Sequence, residues 1–365
     1  MSAAVAVLGA AGFIGNRTVE MLHLGGLYNV RAVVRRASSL ALPMRFAVGA
    51  AVADATDEVA LENAFAGCTH VVHAITGDPR TIVASIEPTY QAAAAAKVRR
   101  LIYVSTASVH GQSPRPGTNE DSPLEDRQGL AYNNAKVMAE RLLHRLRRDG
   151  RLEVVILRPG IVYGPRSQWT GGFADELLAG TAYLVGGGTG ICNSIYVDNL
   201  VHAVTLALEA PGADGHAYLL GDAETITWAD LCRPVAEALG FDIRSIAVPV
   251  PGQGVSDAGR EVARNAARQL LLRLPDRFRR SLRAGYAAWR RDVKSQAEAR
   301  GPQITRERIG LHTCSVKLPH DKAARELRYE PVVSFETACR HALSWLEFAG
   351  YPLSGIRSSG AANRR

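Results

Sequence analysis

With 365 residues, 47% hydrophobic and 21% charged, the chain is long enough to bury a large core, as two domains or as one domain with a sizeable lobe, and too apolar for general disorder. Its formal net charge of +8 is concentrated in residues 253–300, which hold twelve Arg/Lys against five Asp/Glu. The near-neutral remainder excludes a general nucleic-acid binder.

The apolar start from Ala3 to Gly15 has no basic flank and runs into a glycine motif, so it reads as a first strand and turn rather than a signal peptide. Through residue 160, short Val/Ile/Ala-rich runs alternate with Ala/Leu-rich helical stretches. Strands are predicted at Ala4 to Leu8, Val30 to Val34, Ala47 to Ala53, His70 to Ile75, Leu101 to Ser105 and Val154 to Arg158. Runs so continuously apolar belong to strands covered on both faces by helices. An α/β, Rossmann-type, doubly wound parallel sheet is therefore predicted over residues 1–165, with ligands at the strand carboxyl ends.

After Pro165 the glycine-rich turns Gly171-Gly172 and Gly186-Gly187-Gly188 open a smaller C-terminal α+β substrate lobe, assigned to 166–352. Tyr196 to Leu208 reads as a strand end and a helix, so residues 196–210 return to the main sheet. Thr227 to Leu239 reads as a helix opened by a capping threonine. Within 253–300, Phe278, Leu282, Tyr286, Trp289 and Val293 recur at helical steps between arginines, the pattern of a basic amphipathic helix. Its stretch 277–294 suits an anionic membrane surface, an apolar substrate or an acidic partner protein; the plainer alternative is a helix packed on its own lobe with a solvated basic face. Residues 353–365 read as a polar, frayed tail.

No uncharged stretch approaches the roughly 20 apolar residues of a spanning helix. Five scattered cysteines, Cys68, Cys192, Cys232, Cys314 and Cys339, show no CxxC spacing and no neighbouring histidine pair. Neither a metal site nor a disulfide framework is expected, and a soluble protein of a reducing cytoplasm fits.

Gly9, Gly12 and Gly15, with Phe13 and Ile14 between the last two, follow the first strand directly and open a helix. A turn free of side chains lets the backbone approach a pyrophosphate, and the helix N-terminus stabilises its charge. A plain strand-to-helix turn needs only one glycine. About 20 residues beyond the last glycine, an NAD-specific site presents Asp or Glu to the ribose; here Arg35 and Arg36 follow Val34. A guanidinium pairs with a 2′-phosphate, so NADP(H) is preferred, with NAD(H) the alternative if the arginines are solvated surface charges. Asp54, beside Ala55 at the end of the third strand, is placed either to accept from an adenine amine or to cap the next helix.

Tyr132 and Lys136 stand four residues apart on one helical face. A neighbouring ammonium favours the phenolate and makes the tyrosine a usable acid or base; an ordinary helix surface is the alternative. The fifth strand continues as Thr106-Ala107-Ser108-Val109-His110-Gly111. A hydroxyl 26 residues before Tyr132, Thr106 by preference over Ser105 and Ser108, can polarise a substrate oxygen.

On these motifs the chain resembles an extended short-chain dehydrogenase/reductase of the NAD(P)-dependent epimerase/dehydratase superfamily, and is most similar to the 3β-hydroxysteroid dehydrogenase-like branch. The resemblance covers about residues 4–242 and resumes from Asp321 to Trp345, where Lys322-Ala-Ala-Arg-Glu-Leu-Arg-Tyr-Glu-Pro331 is similar to the family's closing motif. It implies hydride transfer at a nicotinamide, with Tyr132 exchanging the hydroxyl proton, Lys136 tuning it and Thr106 holding the oxygen. It also implies that Ala74, Pro159 and Ile161 border the cofactor, the last two within a motif running from Leu157 to Pro165, and that Ser108, His110 and Tyr163 stand near substrate. Homodimers through the Tyr132 helix follow from the same resemblance.

Departures narrow the substrate. Gly160-Ile161 stands where nucleotide-sugar members usually carry Asn, Cys192 lies where they often carry an arginine, and Ala107-Ser108 replaces the Asp-Glu pair of sugar 4,6-dehydratases. A buried diphosphate without a cation is costly. His110 replaces the usual Tyr, as a substrate contact or a satisfied structural histidine. Ser194 to Asn199, ending in Asn, is similar to the steroid and ketone-reductase branch. The resemblance thus implies an oxidoreductase acting on a secondary alcohol or ketone. The alternatives are a nucleotide-sugar epimerase with tightly bound NAD and a non-catalytic NADP-binding sensor.

Overall fold

The computed structural model describes residues 3–249 and 302–354; the basic segment 253–300 and the tail from residue 355 lie outside the described residues. Six strands occur where the apolar runs predict them: β1 (Ala3–Leu8), β2 (Tyr28–Val34), β3 (Gly49–Val52), β4 (His70–His73), β5 (Arg100–Val104) and β6 (Glu153–Pro159). They form one parallel sheet in the order β6-β5-β4-β1-β2-β3, extended beyond β6 by a seventh strand, Ala217–Leu220. Val5 of β1 pairs with Val30 of β2 on one side and His70 of β4 on the other. The strand order therefore reverses at β1, where doubly wound sheets open a crevice for ligands.

Alternate residues of β1, β2, β4, β5 and β6 feed two cores, while the edge strand β3 is largely exposed. On one face Val5, Val7, Val72, Ile102 and Leu157 pack with Val19 and Leu22 of helix α1 (Phe13–Leu24) and with Leu200, Val204 and Leu208 of the helix Val197–Glu209. On the other, Ala6, Leu8, Val71, Leu101 and Ile156 meet helices α2 (Glu58–Phe65), α3 (Pro79–Ala84), α4 (Ile86–Ala95) and α5 (Ala131–Leu146). Double coverage is why these strands read as unbroken apolar runs.

The described residues group into two compact units. The first comprises the chain through Gly164 with Asn193–Thr225 and Val316–Ala338, so the sheet claims more of the chain than a boundary at residue 165 with a return at 196–210 allows. The return also differs in kind. Ser194–Tyr196 pairs with Ile161–Tyr163 in a separate two-stranded sheet, and Ile195 with the following helix packs into the core of the main sheet. The closing motif, expected in the substrate lobe, also belongs here: Ala323 and Leu327 enter the first core, and Tyr329 Oη donates to the Gly221 carbonyl at 3.1 Å. Two buried polar residues tie these returns down. Asp222 accepts from Tyr196 N–H at 2.9 Å and from Asn199 Nδ2 at 2.8 Å, and Asn199 Oδ1 accepts from Val332 and Val333 N–H at 2.9 and 2.8 Å. Asn199, read as a branch marker, is thus occupied by the fold.

Among the described residues, the second unit comprises Pro165–Cys192, 226–249, 302–315 and 339–354. Thr227 caps the helix Trp228–Ala238 as expected, in a capping box completed by Asp230. Gly171 and Gly172 end a π-helical turn, Gln168–Gly172, rather than opening a loop. Gly186, Gly187 and Gly188 all take positive φ.

Candidate active site

The glycine turn is shaped for close backbone approach. Gly9 has φ +89°, and a Cβ there would lie 3.0 Å from the Ala74 carbonyl oxygen. A Cβ on Gly15 would lie 2.3 Å from the Gly9 oxygen, inside any real contact distance. Gly12 N–H donates to Gly9 O at 2.9 Å, and Gly12 then caps α1 with no side chain over its first turn and no acidic residue within it. Phe13 and Ile14 lie half-buried in that turn. A helix N-terminus presented through side-chain-free backbone fits a dinucleotide pyrophosphate.

At the end of β2, Arg35 is exposed and Arg36 half-buried. Asp54, also exposed, accepts from both the N–H and the hydroxyl of Thr56, at 3.0 and 2.7 Å. These bonds, with the Arg35 charge, hold its carboxyl below the ordinary value. The capping alternative for Asp54 fails: Asp57 caps α2, accepting from Ala60 N–H at 3.0 Å. Ala55 is buried beside it.

The second set of side chains meets the same strand ends. Lys136, buried on α5, donates to the Val104 carbonyl at 2.8 Å and the Ile75 carbonyl at 3.5 Å, and stands 4.7 Å from the centre of the Tyr103 ring. Burial pushes its amine down to about 7, against the opposing pull of Glu140. The same ammonium, with burial as the larger cause, pushes His73 down to about 3. Ile75 follows Ala74, the residue Gly9 abuts, so the glycine turn and the lysine flank one two-residue segment. Tyr132 is half-buried one helical turn before Lys136. Its helix start is fixed by Asn134, which accepts from Gln128 N–H at 2.8 Å and donates to Gln128 O at 3.0 Å.

Thr106 lies just beyond β5, and its hydroxyl oxygen accepts from Ser108 N–H at 3.2 Å. Ser105, weighed with Ser108 for the same role, gives its hydroxyl to Glu140 at 2.5 Å. His110 stands 3.3 Å from Arg158 Nη1 through Nε2, and burial with that positive charge pushes it down to about 4. The ring nitrogen accepts from the arginine.

Two of the proposed residues are positioned by backbone. Pro159 ends β6, and Ile161 N–H donates to the Asn193 carbonyl at 2.7 Å. Between them, a Cβ on Gly160 would lie 1.9 Å from that same carbonyl oxygen. The glycine at this departure is therefore required by the fold around it. The Tyr163 ring is buried, 5.6 Å from Tyr196 and 6.1 Å from Phe335. Cys192 is fully buried in the second unit, and all five cysteines are free thiols. Among the described residues no His/Cys/Asp/Glu cluster could hold a metal, and no helix is long and apolar enough to cross a membrane.

Sequence reasoning missed Glu140 and the role of Arg158, which form a buried ion pair at 2.7 Å. The signal was present as a carboxylate on the helical face of Tyr132 and Lys136 and an arginine inside an apolar strand.

A phosphate-ready glycine turn at the switch point of a parallel sheet, with a buried lysine delivered to the same strand ends, defines a dinucleotide-binding α/β protein of the Rossmann type. The chain belongs to the NAD dependent epimerase/dehydratase family, whose profile matches residues 5–221. It is similar to a UDP-glucose 4-epimerase of Vibrio cholerae, 28% identical over 68% of this chain and 80% of that protein. It is similar also to a 3 beta-hydroxysteroid dehydrogenase/Delta 5-->4-isomerase of Mycobacterium tuberculosis, 33% identical over 65% of this chain and 69% of that protein. In fold it is similar to the crystal structure of UDP-glucose 4-epimerase from Thermotoga maritima, with a TM-score of 0.67 and 20% identity over 95% of this chain and 99% of that one.

Proposed function

We propose that the chain is an NADP(H)-dependent dehydrogenase/reductase that interconverts a secondary alcohol and its ketone. The observation that carries this reading is Lys136 Nζ, buried and held at the ends of β4 and β5 by two carbonyls, one helical turn from Tyr132. Gly9, Gly12 and Gly15 cradle the pyrophosphate, Ala74 and Pro159 to Ile161 border the nicotinamide, and Arg35 pairs with a 2′-phosphate. When bound, the nicotinamide supplies or accepts the hydride.

In reduction Tyr132 gives its hydroxyl proton to the substrate oxygen, and in oxidation it takes that proton back. Lys136 stabilises the resulting phenolate by its charge. Thr106 already accepts from Ser108 N–H, so its own hydroxyl proton is what it offers to the substrate oxygen. The preference for an apolar alcohol or ketone over a nucleotide sugar rests on Gly160-Ile161, where sugar-acting members usually carry Asn, on Cys192 where they often carry an arginine, and on Ala107-Ser108 in place of an Asp-Glu pair.

The second reading, a nucleotide-sugar epimerase with retained NAD, is favoured by the Vibrio relative. Absorbance at 340 nm separates the two. A dehydrogenase consumes or forms NADPH in step with product, whereas an epimerase shows no net change while its sugar is converted. A non-catalytic sensor would bind NADP(H) with no turnover of either kind.

A further inference from the structure

Glu140 lies on α5 one turn after Lys136 and two after Tyr132, so the three share a face. It is fully buried. Its carboxylate accepts from Ser105 Oγ at 2.5 Å, from Arg158 Nη2 at 2.7 Å and from Arg158 Nε at 3.2 Å to each oxygen. Arg158 extends the group, donating Nη1 to the Glu120 carbonyl at 2.9 Å and to His110 at 3.3 Å. One side chain of α5 is thereby tied to the residue preceding Thr106 and to the residue preceding Pro159.

Stability alone is a poor reason for such a group, because a buried ion pair gains little over apolar residues of the same volume once desolvation is counted. Its placement, where the elements bearing Thr106, Lys136 and Pro159 converge, suits a different task. We propose that Glu140 is a positioning residue for the reaction, clamping the ends of β5 and β6 to α5 and supplying the counter-charge for Lys136. The proposal rests on the dehydrogenase reading. The titratable and charged groups that face Glu140 are Lys136 and His144 on α5, Tyr103 on β5 and Arg158 on β6. Glu140 opposes the downward push that burial exerts on Lys136, in keeping with the clamp's second task.

The test compares Glu140→Leu, Arg158→Met and the double variant with the parent chain. Each single substitution strands a buried charge or its partner and lowers the melting temperature; the double variant regains most of it. Turnover in the double variant stays about 100-fold down, the scale expected for misplaced reacting groups. Only five lysines occur in the chain, so ε-¹⁵N-lysine NMR reads Lys136 directly, and its titration midpoint falls below that of the parent. Recovery of turnover along with stability, or an unmoved Lys136 midpoint, overturns the clamp. Should the double variant fail to fold, Glu140→Gln, which keeps a hydrogen-bonding group without the charge, carries the same readouts. A parent with no NADPH turnover defeats the dehydrogenase reading instead, and the Lys136 midpoint still decides this one.

Discussion

Lys136 Nζ donates to the carbonyl oxygen of Val104 at 2.8 Å, a bond between the middle of α5 and the last residue of β5. It sets the lysine at the carboxyl edge of the sheet in an almost dry setting, where a charged ammonium is costly to keep.

Burial pushes Lys136 down to about 7 from an ordinary 10.5. Below pH 7 the lysine is protonated in both states, and the cost of its buried charge is fully felt. Between about 7 and 10.5 the unfolded chain holds a proton the folded chain has released, so stability rises with pH. The span corresponds to a contribution on the order of 4–5 kcal/mol. Compared with Lys136→Met across pH 6.5 to 10, the parent gains stability as pH rises; parallel unfolding curves would contradict the assignment.

A methyl on Gly15 meets the Gly9 oxygen at 2.3 Å, and backbone must move to admit it. Overpacking of this kind costs about 1–3 kcal/mol. Gly15→Ala is expected to weaken dinucleotide binding by at least about tenfold in a fluorescence titration. Unchanged affinity would show that the turn does not face the pyrophosphate.

Arg35 is exposed at the end of β2, close enough to Asp54 to act on its carboxyl. Loss of a charge-assisted hydrogen bond costs about 1.5–3 kcal/mol. Arg35→Glu should therefore lower NADP(H) affinity about 10- to 100-fold while NAD(H) affinity changes little. Equal losses for both nucleotides would remove Arg35 from the 2′-phosphate.

Gly160→Asn places a side chain into the Asn193 carbonyl, 1.9 Å from the Cβ position. The expected outcome is a melting temperature lower by at least about 3 °C. A variant as stable as the parent would contradict the close approach of the Asn193 carbonyl to Gly160.

Much of the fold was legible because burial on both faces forces strands to be continuously apolar, and β1, β2 and β4 to β6 contain short runs of that kind, whereas the edge strand β3 is largely exposed. The seventh strand, Ala217–Leu220, was not: four apolar residues after a polar turn carry no periodicity, and only pairing with β6 makes them a strand. Asp222 and Asn199 look like surface residues in sequence, since their partners lie up to 134 positions away. At the site, sequence placed Thr106, Tyr132 and Lys136 on the right elements but left Ser105 open, because only its contact with Glu140 shows that hydroxyl committed elsewhere. Tyr163 shares the motif with Pro159 and Ile161, yet its ring is drawn into an aromatic contact with Tyr196 that spacing alone does not reveal.

The most direct measurement is the turnover of Tyr132→Phe with NADPH and a ketone substrate, alongside its nucleotide affinity. Removing one hydroxyl should cost about 10²- to 10⁴-fold in kcat while NADPH binds as in the parent. Turnover equal to that of the parent would contradict the Tyr132 mechanism, since the proton then comes from elsewhere.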